Sequence, residues 1–181
     1  MRGGLVSFAR RVWDLLCEDY PYLRGVELHV VKREQLVAVG FAPSPCFLPL
    51  GASVGNLGLP GTPPLVYLVE EEEIWLDLLC PGSARWQTQP PLRWAARQPE
   101  WLRVAFGVAH EAGHALLLCN VSVHDVAQRR VLERDWAWRA ANLFAWPQEK
   151  AYAMMPMEYQ ADAFAGGWVR RNRARVEALL G

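Results

Sequence analysis

The sequence predicts a single α+β domain spanning residues 1–181, on three observations. Apolar residues alternate over short stretches in the first half, as half-buried strands require. A long proline-free apolar stretch follows Pro99, as a core helix requires. The C-terminal part of the chain continues in helical patterns broken by few turn signals.

Leu5, Phe8, Val12 and Leu15 or Leu16 recur at helical spacing, with Arg10, Arg11, Asp14 and Glu18 opposite them. This is an amphipathic helix stopped before Pro21. In "VELHVVK", Val26, Leu28 and Val30 share one face of a strand, and "QLVAVGF" reads as its hairpin partner. Residues 42–64 are dense in Pro and Gly and read as a loop insertion with no regular element, either disordered or a functional flap. "LVYLV", Leu65 to Val69, reads as a third strand. "EEEEIWLDLLC" is ambiguous: Ile74, Leu76 and Leu78 alternate as in a strand, while the Glu-rich start suits a helix.

"PGSARWQTQPP" reads as another loop, after which Pro99 suits the first turn of a helix over "EWLRVAFGVAHEAGHALLLC". The Trp-rich segment "VLERDWAWRAANLFAW" reads as a helix ended by Pro147. "MEYQADAFA" opens a further helix, weakened at Gly166 and Gly167, and "RRNRARVEALL" closes the chain helically.

A chain of 181 residues can bury a core for one domain. With 52% hydrophobic and 21% charged residues it has an ordinary globular balance, which argues against disorder throughout. The formal net charge is zero, so neither a nucleic-acid partner nor an anionic membrane is expected. Arg10 and Arg11 interrupt the first apolar stretch, so no secretory signal is read there, and no apolar run is long enough to span a bilayer. A cytoplasmic location is the expectation. Cys17, Cys46, Cys80 and Cys119 lie far apart without a CxxC pair, which excludes a cysteine-rich zinc knuckle and leaves reduced thiols as the default.

The chemistry concentrates in "VAHEAGHALL", Val108 to Leu117. On a helix, residues four apart lie one above the other, so His110 and His114 can present two imidazoles to one point. Two nitrogens at about 2.0–2.1 Å from one zinc ion need this stacking. Glu111 lies about 100° around the helix from His110, where it can overhang the metal without binding it and take a proton from water. The plain alternative is a buried helix with satisfied histidines. Polar residues in so apolar a helix are costly without partners, which favours a metal.

A catalytic zinc usually takes three protein ligands. A third histidine six residues after His114 is absent, since that position is Asn120. His124 could bind only from a turn, and His29 fits a half-exposed strand position. "MEYQADAFAGGW" offers Glu158 and Asp162 four apart on one helical face. Glu158 can supply a carboxylate oxygen, and Asp162 can accept the second ring N–H of His110 or His114, fixing its tautomer. Taken alone, the pair could be a solvated acidic face at a helix start.

Together, "HEAGH" and "EYQAD" resemble the gluzincin metallopeptidases, whose HExxH helix is followed by a second helix carrying a Glu ligand, often as ExxxD. "EYQADAFA" also resembles a stretch of the ImmA/IrrE family of small intracellular metallopeptidases. The resemblance implies His110, His114 and Glu158 as ligands of one Zn2+ per chain and Glu111 as general base. It implies a minimal zincin-like fold, a small twisted sheet packed on the active-site helix with further helices. It also implies a cytosolic protease cleaving a protein or peptide substrate, in known cases a transcriptional repressor.

Peptide hydrolysis also needs a donor for the developing oxyanion, for which Tyr152, Tyr159 and His124 are candidates. "LVYLVEEE" could be an edge strand that pairs with extended substrate, or an internal strand. Cys46, in "PSPCFLP", could cap the metal as an inhibitory thiolate, although an idle cysteine is the commoner case. The arginines Arg170, Arg171, Arg173 and Arg175 read as a solvated helix face. Trp136, Trp138 and Trp146 read as core residues, or as a partner surface if exposed. Two other activities share the motif: a non-proteolytic binding module on the same scaffold, and a zinc amidase acting on a small substrate.

Overall fold

The structure is a computed structural model that describes residues 4–32, 34, 51–54, 65–69, 84–119, 130, 134, 137, 138, 141 and 155–181. Helices dominate these residues, beside one three-stranded sheet.

Helix α1 (Gly4–Asp19) buries Leu5, Phe8, Ala9, Val12, Trp13 and Leu16. This is the apolar stripe its spacing predicts, and Leu16 rather than Leu15 completes it. Pro21 ends the helix and opens a 3-10 turn, Pro21–Gly25, whose Leu23 is buried. Strand β1 (Glu27–Val31) follows. Val26 just before it is buried, Leu28 and Val30 pack against the core, and Glu27 and His29 alternate with them toward solvent.

Two features of the sheet go beyond or against the sequence expectation. Among the described residues β1 pairs with β3 (Leu65–Val69), and the pair is parallel, with His29 opposite Tyr67. The segment expected to form a hairpin with β1 lies outside the described residues. Second, Gly51–Val54 forms strand β2, antiparallel to β3 with Ala52 opposite Tyr67. A strand therefore sits inside the stretch read as a loop insertion. Average Pro and Gly content hid it: Gly51–Val54 is itself proline-free, and its strand state comes from ladder bonds to β3. The strand order is β1-β3-β2, so "LVYLV" is the internal strand and β2 is an edge among the described residues.

A 3-10 turn, Ala84–Gln87, buries Trp86 within the second expected loop. The two prolines that were to end that loop instead open helix α2 (Pro90–Ala95). Proline suits a first helical turn because its missing N–H has no helical partner there. Helix α3 (Glu100–Cys119) starts just after Pro99, whose carbonyl accepts from the amides of Leu102 and Arg103. In the Trp-rich segment the described residues, Arg134, Ala137, Trp138 and Ala141, are helical, as is Arg130 just before it, and Trp138 is half-buried. Trp136 and Trp146 lie outside the described residues.

Helix α4 (Pro156–Arg171) runs uninterrupted through Gly166 and Gly167, and α5 (Arg173–Ala178) follows Asn172. Gly166 does not weaken α4 visibly because it serves packing: Pro91 and Phe106 lie against it. Arg170, Arg171, Arg173 and Arg175 are exposed, as expected. The guanidinium of Arg170 stacks 4.5 Å from the Trp94 ring, a cation–π contact.

Helix α3 organises the rest, packing against α1, α4, β2 and β3. Every residue from Val104 to Ala112 is buried, so this stretch of the helix is interior on all sides. The C-terminal helices are tied to α1 by polar contacts. The Trp168 indole N–H donates to Asp19 at 2.7 Å, and Arg175 donates to Asp19 at 2.7 Å and to Glu18 at 2.8 Å. Among the described residues no helix is long and apolar enough to cross a membrane.

Candidate metal centre

Five ionisable side chains lie where α3 and α4 pack together, and all are buried: His110, Glu111 and His114 from α3, Glu158 and Asp162 from α4. Each helix presents its pair through i,i+4 spacing, so the two pairs face each other across one helix–helix contact. Groups this polar in a dry interior are tolerated only when they satisfy one another or hold an ion.

The His110 Nδ1–H donates to Asp162 Oδ1 at 2.8 Å. That bond fixes the tautomer and turns Nε2 toward α4. The His110 and His114 Nε2 atoms lie 3.0 Å apart, with the rings nearly perpendicular at 87°. Glu158 approaches both: Oε2 lies 3.2 Å from His110 Nε2, and Oε1 lies 3.2 Å from His114 Nε2. Glu111 stands beside this group, with Oε1 4.0 Å from His110 Nε2.

These distances fit a cation. Ligand atoms at about 2.0–2.1 Å from a tetrahedral centre lie about 3.3 Å from one another, and the observed separations are close to that value. Among the described residues Glu158 Oε2 is buried with nothing but His110 Nε2, at 3.2 Å, to face it, a place an ion can fill. Two facing Nε2 atoms cannot both accept a hydrogen bond, but both can donate lone pairs to one metal. His110, His114 and Glu158 form the cluster of metal-ligating type among the described residues.

In the metal-free arrangement the charges sort in a definite direction. Burial disfavours a charged His110, yet the Asp162 carboxylate, and then Glu158, outweigh it and push its pKa up to about 10. Burial would likewise raise Glu158, but His114 and His110 hold it well below the usual carboxylate range. The two groups form a buried ion pair in which a proton stands where a metal would bind.

The structure thus brings together His110, Glu111, His114, Glu158 and Asp162, and it resolves one choice left open in the sequence: Asp162 supports His110. Tyr159 is not in the buried group, being 46% exposed on α4. His29 is also elsewhere, paired with Glu27 at 2.9 Å on the exposed face of β1. Tyr152, His124 and Cys46 lie outside the described residues. Gly113, set between the two histidines, packs tightly against Ala161 of α4. Compared with protein-family models, with curated proteins and with solved structures, the chain matches none.

Proposed function

We propose that this chain is a zinc-dependent peptidase of gluzincin type, with a zincin-like arrangement of sheet and active-site helix, acting on a protein or peptide. One observation carries the reading. Two Nε2 atoms and a carboxylate from separate helices converge within 3.2 Å of each other, with a further buried carboxylate, Glu111, alongside. His110, His114 and Glu158 are the residues that would hold the ion. A divalent cation there would supply Lewis-acid polarisation of a peptide carbonyl and make water more acidic.

Glu111 has no ligand role in this reading. Its carboxylate lies at the edge of the cluster, where it takes the proton of the attacking water and passes it to the departing amine. When His110 is neutral, as a metal ligand must be, Asp162 keeps it in the tautomer that leaves Nε2 unprotonated and facing α4. Glu158 balances charge and links α4 to the site. The resemblance of "HEAGH" and "EYQADAFA" to the ImmA/IrrE peptidases supports a regulatory protein such as a repressor as substrate, and a cytoplasmic place of action.

The test is Glu111→Gln, assayed on denatured casein and a quenched-fluorescence peptide library. Hydrolysis should fall by about 10²–10⁴-fold while the zinc content stays that of the wild type. Equal turnover by wild type and variant would refute the role of Glu111. A zinc-loaded wild type that cleaves no peptide would favour a binding module or a small-molecule amidase instead.

A further inference from the structure

Between His110 and His114, one residue has no side chain where α3 meets α4. A Cβ built on Gly113 would lie 3.1 Å from the Ala161 Cα, 3.2 Å from Phe164 Cδ1 and 3.4 Å from the Ala161 carbonyl oxygen. Two of these three neighbours are backbone and cannot swing aside. Ala161 stands between Glu158 and Asp162, the two α4 residues that reach the histidines. The tight Gly113–Ala161 contact therefore lies among the site residues of both helices.

We infer that Gly113 is a positioning residue: it sets the α3–α4 spacing at which Asp162 and Glu158 reach His110 and His114. The inference rests on the metal-site reading above. Its strength comes from comparing two lengths. Adding a Cβ at 3.1 Å forces the neighbours apart by a few tenths of an ångström. Metal–ligand distances tolerate about ±0.2 Å. Glu158 has rotatable bonds with which to follow such a shift. Asp162 has less slack, since its short side chain is 0% exposed and already spans only 2.8 Å to His110. The bond orienting His110 is the one that stretches.

The same helix pair supplies its own control. Gly166 also faces α3, but a Cβ there would meet Pro91 Cβ at 3.4 Å and Phe106 Cε2 at 3.7 Å, ordinary side-chain contacts. Gly166→Ala changes the same residue type in the same interface without moving the backbones at the site. If glycine matters in this interface only for packing at large, the two substitutions behave alike. If Gly113 sets the site, they diverge.

The experiment measures zinc affinity by competition with a chromogenic chelator for wild type, Gly113→Ala and Gly166→Ala, with far-UV circular dichroism of each metal-free protein. Gly166→Ala should bind as wild type does. Gly113→Ala should fold and bind about 10–100-fold more weakly, the loss typical when an outer partner of a ligand is displaced. Cobalt substitution should give Gly113→Ala a weaker or shifted d–d band than either other protein. Should Gly113→Ala not fold, Gly113→Ala/Phe164→Leu removes the side-chain obstruction and leaves that of Ala161, so it should fold and still bind weakly. Equal affinity of Gly113→Ala and wild type overturns the inference, as does wild-type affinity in the double variant. Failure of both variants to fold overturns it too, because the glycine would then serve the fold rather than the site. A wild type that binds no zinc defeats the underlying metal reading, a distinct result.

Discussion

Metal binding should expel a proton that an ordinary histidine would not be carrying. In the metal-free chain His110, held between Asp162 and Glu158, has a pKa raised to about 10. The sign follows directly: below that value the proton stays, so at pH 8 the ring is almost fully protonated, whereas a histidine of pKa about 6.5 would be almost fully neutral. A metal ligand must be neutral, so loading at pH 8 displaces close to one proton from His110. Two pH units below the pKa, that displacement costs on the order of 100-fold in apparent affinity, or about 3 kcal/mol. Affinity should therefore climb about tenfold per pH unit across neutrality. The assay is calorimetric zinc titration at pH 8 in buffers of different ionisation enthalpy, which reads the number of protons released. Asp162→Asn is the internal reference. It removes the leading cause that raises His110, so its release should fall, and any proton from another source is common to both proteins. Equal release by wild type and Asp162→Asn would refute the reasoning, and so would affinity that is flat with pH.

Two further outcomes test the ligand set and the frame that carries it. Elemental analysis should find about one zinc per wild-type chain, and Glu158→Ala should lose most of it; full retention there, with loss only in Asp162→Asn, would exchange the roles of the two carboxylates. Asp19→Ala should lower unfolding free energy by about 1–3 kcal/mol in denaturant titration, because it orphans the indole N–H of Trp168, which is 1% exposed. Its ion pair with Arg175 is largely solvated and adds little. Zinc affinity should not change in that variant.

What could be read from the sequence was what is local. The α1 stripe and the proline-free run of α3 are patterns within one element, so spacing alone reveals them. The same holds for the site, since each half is an i,i+4 pair within one helix, and only the convergence of the halves had to be supposed. Which histidine Asp162 supports depends on how α4 crosses α3, and no spacing within either helix encodes that. Strand β2 was hidden for a related reason. Gly-Ala-Ser-Val offers only Ala52 and Val54 as an alternating apolar pair, too short a pattern to read as a strand, and its extended form comes from pairing with β3. The parallel match of β1 to β3 is equally non-local. Helix α2 was missed because Pro90 and Pro91 were read as the end of a loop rather than as a first helical turn.

The ligand-bearing residues come from two helices, with His110 and Glu158 48 positions apart along the chain. A cation held by all three would cross-link α3 to α4 much as a covalent staple does. Occupancy then couples to durability by mass action: each tenfold excess of free zinc over its dissociation constant adds about 1.4 kcal/mol against unfolding. Zinc supply would thus govern how long the molecule survives as well as whether it acts.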